Sequence, residues 1–164
     1  MSAVARRSLP AELRARLREL GLIAPGAREK TLLSLCHAQR LRGGLSVSLR
    51  ATPDEVLGQL GAALGGPAAK LRLEEVRGTG PFELHVRCAH GLERWEVDDV
   101  PGLVHNLNSL FPDAVGVRAC AVLGEWEDML QLWCLDRLRL LTLLAEPWFA
   151  PLNRPQLERL AGLG

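Results

Sequence analysis

From Phe82 to Val97 apolar and polar side chains alternate on both sides of a short break: FELHVRCA, then His90-Gly91, then LERWEVD. The pattern predicts a β-hairpin with His90-Gly91 as a two-residue type I′ loop, in which both central residues need positive φ. Counting away from the loop pairs Ala89 with Leu92, Val86 with Trp95 and Leu84 with Val97 on one face. His85 then meets Glu96, and Arg87 meets Arg94, on the other. Apolar residues oppose apolar ones, and a one-residue slip would destroy the match. Trp95 is expected to be buried.

The same reading extends along the chain. Ser8-Leu9-Pro10 predicts a helix start, with Leu9, Leu13, Leu17 and Leu20 on one face, Arg14, Arg16 and Arg18 on the other, and Gly21 as its end. A second helix is expected over 27–42, with Leu32, Leu35, Cys36 and Ala38 inward and Gly43-Gly44 as the stop. LSVSL (45–49) alternates as a short strand. Thr52-Pro53-Asp54-Glu55 is a capping box for a helix to Leu64. A strand over 70–77 turns through Gly78–Pro81 into the hairpin. Beyond it, Asp98-Asp99 cap a helix lined by Val100, Leu103, Val104, Leu107, Leu110 and Phe111, and Pro112 ends it.

Residues 115–123 are apolar on both faces except Arg118, which predicts a strand in the middle of a sheet. A turn over Gly124–Asp128 leads to a last strand, 129–135. Asp136 caps a helix through Leu144. Pro147-Trp148-Phe149-Ala150-Pro151 follows, then a short helix opened by Asn153 and Pro155.

These elements predict an α+β fold: a mostly antiparallel sheet of about five or six strands, helices packed mainly on one face, and a basic two-helix segment in front. Residues 1–44 are a helical arm or subdomain and 45–164 the α+β domain, unless the two form one continuous domain. Two hairpin-then-helix units, 82–111 and 115–144, follow each other.

Composition refines this picture. At 164 residues and 48% hydrophobic the chain can bury a core. No apolar run approaches the ~18 residues of a membrane span, and no signal-peptide core follows Arg6 and Arg7. Four scattered cysteines without CxxC spacing suit a reducing compartment, so the expected location is the cytoplasm. Eighteen Arg against two Lys suggests a GC-rich bacterial genome. Residues 1–50 carry ten basic and three acidic side chains, +7, while 51–164 carry ten and 16, −6.

His85, Cys88 and His90 lie close in sequence, but alternation sends His85 and Cys88 to opposite faces. A tetrahedral metal needs converging ligands, so no metal site is expected, and Cys88, Cys120 and Cys134 read as core thiols. Neighbouring Cys36 and His37 point about 100° apart on a helix. No nucleophile elbow or phosphate-binding glycine loop occurs, and no catalytic residue or cofactor is assigned. Basic residues Arg6, Arg7, Arg14, Arg18, Arg28, Lys30, Arg40 and Arg42 could neutralise phosphates, without an aromatic residue in that segment to stack bases.

Trp126, placed among acids in a turn, and Trp148-Phe149, between prolines, resemble the aromatic anchors of protein interfaces. The competing expectation is that the PWFAP segment folds back over the sheet near Trp133. The reading that follows is a non-catalytic intracellular interaction module or adaptor, docking a protein partner or a second copy through Trp126, Trp148 and Phe149. A nucleic-acid-associated protein using the basic helices is the alternative, and a small enzyme of unidentified chemistry the third.

Overall fold

The computed structural model describes residues 4–78, 82–110 and 118–149. In chain order its elements are α1 (Ala11–Glu19), α2 (Leu32–His37), β1 (Gly44–Ser48), α3 (Pro53–Leu64), β2 (Arg72–Arg77), β3 (Phe82–Cys88), β4 (Gly91–Val97), α4 (Val100–Leu110), β5 (Arg118–Trp126), β6 (Met129–Asp136) and α5 (Arg137–Leu144). The fold is α+β, with six antiparallel strands among the described residues, as expected. The strands form two three-stranded sheets, β1-β6-β5 and β2-β3-β4. Phe111, Pro112, 115–117, Pro151 and the expected final helix lie outside the described residues.

Helix starts follow local chemistry. Thr52 Oγ1 accepts from the Glu55 N–H at 3.3 Å, and the Glu55 carboxylate accepts from the Thr52 N–H at 3.0 Å, closing the capping box of α3. Asp99 accepts from the Gly102 N–H at 2.9 Å, and Asp136 from the Arg139 N–H at 3.1 Å, so α4 and α5 begin at the expected caps.

The amino-terminal helices differ from expectation. Pro10, not Ser8, holds the cap position of α1, and Leu20, expected inward, is 41% exposed beyond the helix end. The second helix is only Leu32–His37, capped by Thr31, and Ala38 is exposed. The reason is visible in the backbone of 27–30. Arg14 donates to Glu29 O at 2.6 Å and Ala27 O at 2.7 Å, while the Leu9 N–H donates to Lys30 O at 2.8 Å. Carbonyls engaged in this way are not offered to a helical ladder.

The hairpin stands, with its register moved by two. Leu84 faces Trp95, Phe82 faces Val97 and Cys88 faces Gly91, leaving Ala89-His90 as the loop. An even shift preserves which face each side chain occupies, so Leu84, Val86, Trp95 and Val97 all remain buried. Gly91, at φ 140, begins β4 instead of closing the loop. A turn with two positive φ values, the signature of type I′, sits instead at Glu127-Asp128, at 54° and 60°. Trp126, expected in that turn, is the last residue of β5.

Strand β5 was expected in mid-sheet; it is an edge, and β6 is central. Its apolar character on both faces reflects two covering layers. Ala119, Ala121, Leu123, Trp133 and Leu135 join α1, α2 and α5 in one core, so residues before β1 pack on this sheet. Cys120, Leu130, Leu132 and Cys134 join α3, α4 and the inner face of β2-β3-β4 in a second. Pairing slips between Val122 and Gly124, making Leu123 a bulge. The extra residue reverses the alternation beyond it. Trp126 therefore packs on the first core and Glu125 turns toward the opposite face.

The edge of β5 is closed by one side chain. Asn108 of α4 donates to Cys120 O at 2.8 Å and accepts from the Cys120 N–H at 2.9 Å, as a neighbouring strand would. Asn108→Ala should lower the unfolding free energy by about 2–4 kcal/mol, since two ladder groups lose their partner. A urea midpoint equal to wild type would contradict this role.

Stability should also fall at alkaline pH. Burial pushes the Cys36 thiol from 9.0 to about 11. The Cys134 thiol, then burial, push Cys120 up as well. Between pH 9 and 11 the unfolded chain releases a thiol proton that native Cys36 keeps, so the native state binds more protons and loses stability as pH rises. Urea unfolding across this range should show a decline that is shallower in Cys36→Ala by about 1–3 kcal/mol.

Candidate functional site

The two sheets meet along a seam, and at one end they leave a cleft of about 450 Å³. Its walls come from residues distant in sequence: Leu49 and Ala51 after β1, Val56 of α3, Phe82 and Leu84 of β3, Val97 of β4, and Leu103 of α4. Leu130 of β6 contributes as well. Most of these are hydrophobic because they continue the second core to the surface. Leu49, one of the large hydrophobic side chains left in solvent, is 45% exposed there.

Polar groups enter from three places. Asp98 and Asp99 stand at the start of α4, Arg50 follows β1, and Glu125 arrives through the bulge at Leu123. Three carboxylates thus face one guanidinium in the lining. Helices α3 and α4 both begin at this cleft, yet their first turns are occupied. Thr52 accepts from the Glu55 N–H and Asp99 from the Gly102 N–H, and Pro53 and Pro101 have no N–H to offer. An anion would find acidic side chains and few free donors; an apolar group beside a cation would find complementary charge.

The aromatic residues expected to form an interface are placed differently. Phe149 is fully buried, its ring 6.4 Å from Trp133 and 5.0 Å, edge-on, from Trp148. The described part of the segment, 147–149, folds back over the sheet near Trp133, as the competing expectation had it. Pro147-Trp148-Phe149 is a 3-10 turn closed by the Phe149 N–H to Glu146 O bond of 2.9 Å, and the Glu146 N–H donates to Leu143 O of α5 at 3.1 Å. Trp126 and Trp148 are half-buried against the same core. Their apolar area is largely spent inside the molecule, so Phe149 is not displayed to a partner.

Much of the basic segment also has internal work. Arg6 donates to Glu125 O at 3.2 Å, Arg14 holds the 27–30 backbone, and Arg18 reaches Ala27 O at 3.4 Å. Arg16 pairs with Glu146. Arg7, Arg28, Lys30, Arg40 and Arg42 are exposed. Arg14, Arg18, Arg28 and Lys30 line a shallow groove beside α1.

The outer face of β2-β3-β4 is a lattice of alternating charge. Arg87 meets Glu74 at 2.7 Å, Arg94 meets Glu83 at 2.9 Å, and Arg77 meets Glu75 at 2.9 Å. His85 lies 2.8 Å from Glu83, away from Cys88. Cys88 and His90, expected to diverge, do come together, with Glu93 beside them. Cys120 Sγ lies instead against Cys134 Sγ, 2.9 Å away inside the second core.

The cleft is not legible in the sequence because its walls come from four strands, the segment after β1 and two helices, and no local pattern announces such a meeting. In the sequence Asp98-Asp99 signal only a helix cap, a role that Asp99 fills. No protein-family model matches this chain, and neither does any curated protein or solved structure.

Removing the two aromatic side chains separately should separate their roles. Phe149→Ala should destabilise by about 3–5 kcal/mol, as loss of a buried ring does. Trp148→Ala should cost less, since its ring is only half out of water. Equal and small shifts in thermal midpoint would show that neither ring belongs to the core.

Proposed function

We propose that this protein is a non-catalytic interaction module of the cytoplasm, and that the cleft between its sheets receives a segment of another protein. The observation that carries the reading is the union of an apolar lining with the carboxylates of Asp98, Asp99 and Glu125. A pocket of this kind favours an apolar side chain flanked by lysine or arginine. The half-exposed Leu49 supports it, because docking would remove that side chain from water. Four unpaired cysteines agree with a reducing compartment, and no helix among the described residues is long and apolar enough to cross a membrane.

Nucleic acid on the basic amino-terminal segment is the lesser reading. The groove of Arg14, Arg18, Arg28 and Lys30 favours it, and the internal hydrogen bonds of Arg14 and Arg18 weigh against it.

The test is selection of peptides from a random display library against the whole chain. Enriched sequences should carry an apolar residue beside Lys or Arg. Leu49→Asp should weaken them by roughly tenfold or more, about 1.4 kcal/mol, with the thermal midpoint held, since the position is exposed. Peptides that bind Leu49→Asp as well as wild type, or that are acidic, would remove the cleft from consideration. Self-association abolished by the same substitution would make a second copy the partner. A low-salt DNA shift unaffected by Leu49→Asp would move the function to the basic groove.

A further inference from the structure

The tip of the β3-β4 hairpin gathers a thiol, an imidazole and a carboxylate. Their ligand atoms all lie within 4.8 Å of one another. Cys88 Sγ is 3.6 Å from His90 Nδ1 and 3.4 Å from Nε2. His90 Nε2 is 2.9 Å from Glu93 Oε1. The backbone explains the convergence. Cys88 pairs with Gly91 and Val86 with Glu93, so Cys88 and Glu93 project diagonally from the same face. That face is the one that carries Leu84, Val86 and Trp95 into the core. At the tip the core has ended, and His90, in the loop between Cys88 and Gly91, closes over the pair.

We infer that Cys88, His90 and Glu93 form a binding site for a divalent ion of the zinc class, with a fourth position open to solvent. Bonds of about 2.3 Å to sulfur and about 2.0 Å to nitrogen at a tetrahedral angle place S and N about 3.5 Å apart. One nitrogen ligates: Nε2, 3.4 Å from Sγ, is close to that value, and the exposed imidazole must turn to aim its lone pair at the ion, because both ring nitrogens stand at similar distances from the sulfur. The Nε2 to Oε1 distance of 2.9 Å is that of a hydrogen bond, so Glu93 must draw back slightly to admit the ion. Its side chain is 37% exposed and free to do so.

Charge also balances. A thiolate and a carboxylate neutralise the dication, and the imidazole is neutral when it ligates. Binding exchanges the Cys88 proton for the metal and releases it to water, with no redox change. Thiolate with imidazole selects zinc or cobalt over magnesium or calcium, which prefer oxygen alone. The sulfur is sheltered on its inner side, Cys88 being 9% exposed, while the His90 side chain is 60% exposed. A water or a ligand atom from a partner would complete the tetrahedron from the open side.

The experiment is a titration of the reduced, metal-free full chain with Co²⁺, followed by displacement with Zn²⁺. One equivalent of cobalt should produce the near-ultraviolet sulfur-to-cobalt charge-transfer band together with the strong visible bands of four-coordination. Cys88→Ser should abolish the charge-transfer band. His90→Ala, in an exposed loop, and Glu93→Gln should each weaken binding by more than roughly tenfold, the usual loss even for a group that only hydrogen-bonds to a ligand. Cys36→Ala should leave the spectrum unchanged. Should Cys88→Ser fold poorly, the wild type decides: Zn²⁺ must protect the Cys88 peptide from alkylation in a mass-spectrometric map. No charge-transfer band, a band that survives in Cys88→Ser, or unprotected Cys88 would each overturn the assignment.

Discussion

Burial of β6 on both faces is the constraint on which the rest depends. On one side Trp133, fully buried, donates its indole N–H to Arg42 O at 2.9 Å and packs near Phe149. On the other, Leu130, Leu132 and Cys134 meet α3, α4 and the second sheet. A three-stranded sheet with one wet face could not keep so apolar a central strand in water. Here residues from Ala5 to Leu41 supply one cover, and the β2-β3-β4 layer with its helices supplies the other. The first segment is therefore an integral layer, and its arginines serve that layer before they serve anything outside it.

Double burial leaves few places for polar atoms, and those present are tied. Gln131, the one polar residue buried in this way among the described residues, donates to Trp126 O at 3.2 Å, shares a 3.3 Å contact with His37 Nδ1 and accepts from the Ser46 hydroxyl. It links α2, β1 and the end of β5 beside the bulge. The bulge in turn sends Glu125 toward the cleft and Trp126 toward the opposite core. One inserted residue thus sets part of the cleft's charge.

The second sheet is built on another balance. Its inner face is apolar and its outer face carries paired charges, so it has one dry side and one wet side. Exposed pairs of this kind add little stability each, but they keep the face from presenting an apolar surface of its own. Where the inner face runs past the end of the core, at the hairpin tip, the inward positions pass from Trp95 to Cys88 and Glu93. Ligand-type side chains there follow from the same alternation that builds the core.

Local chemistry was legible in the sequence. The capping box at Thr52, the caps at Asp99 and Asp136, the apolar face of α4 and the two-fold alternation of β3 and β4 each depend on residues within a few positions of one another. They determined the α+β class, the number and hand-to-hand order of the ββα units, and which face of the hairpin is buried. Tertiary structure decided the rest, because each of those features is a balance between segments far apart. The pairing of β5 as an edge depends on Asn108, the shortening of α2 on Arg14, the burial of Phe149 on Trp133, and the cleft on the meeting of two sheets. The meeting of Cys88, His90 and Glu93 lay between these extremes. The residues are close in sequence, yet only the observed register and loop bring their ligand atoms together.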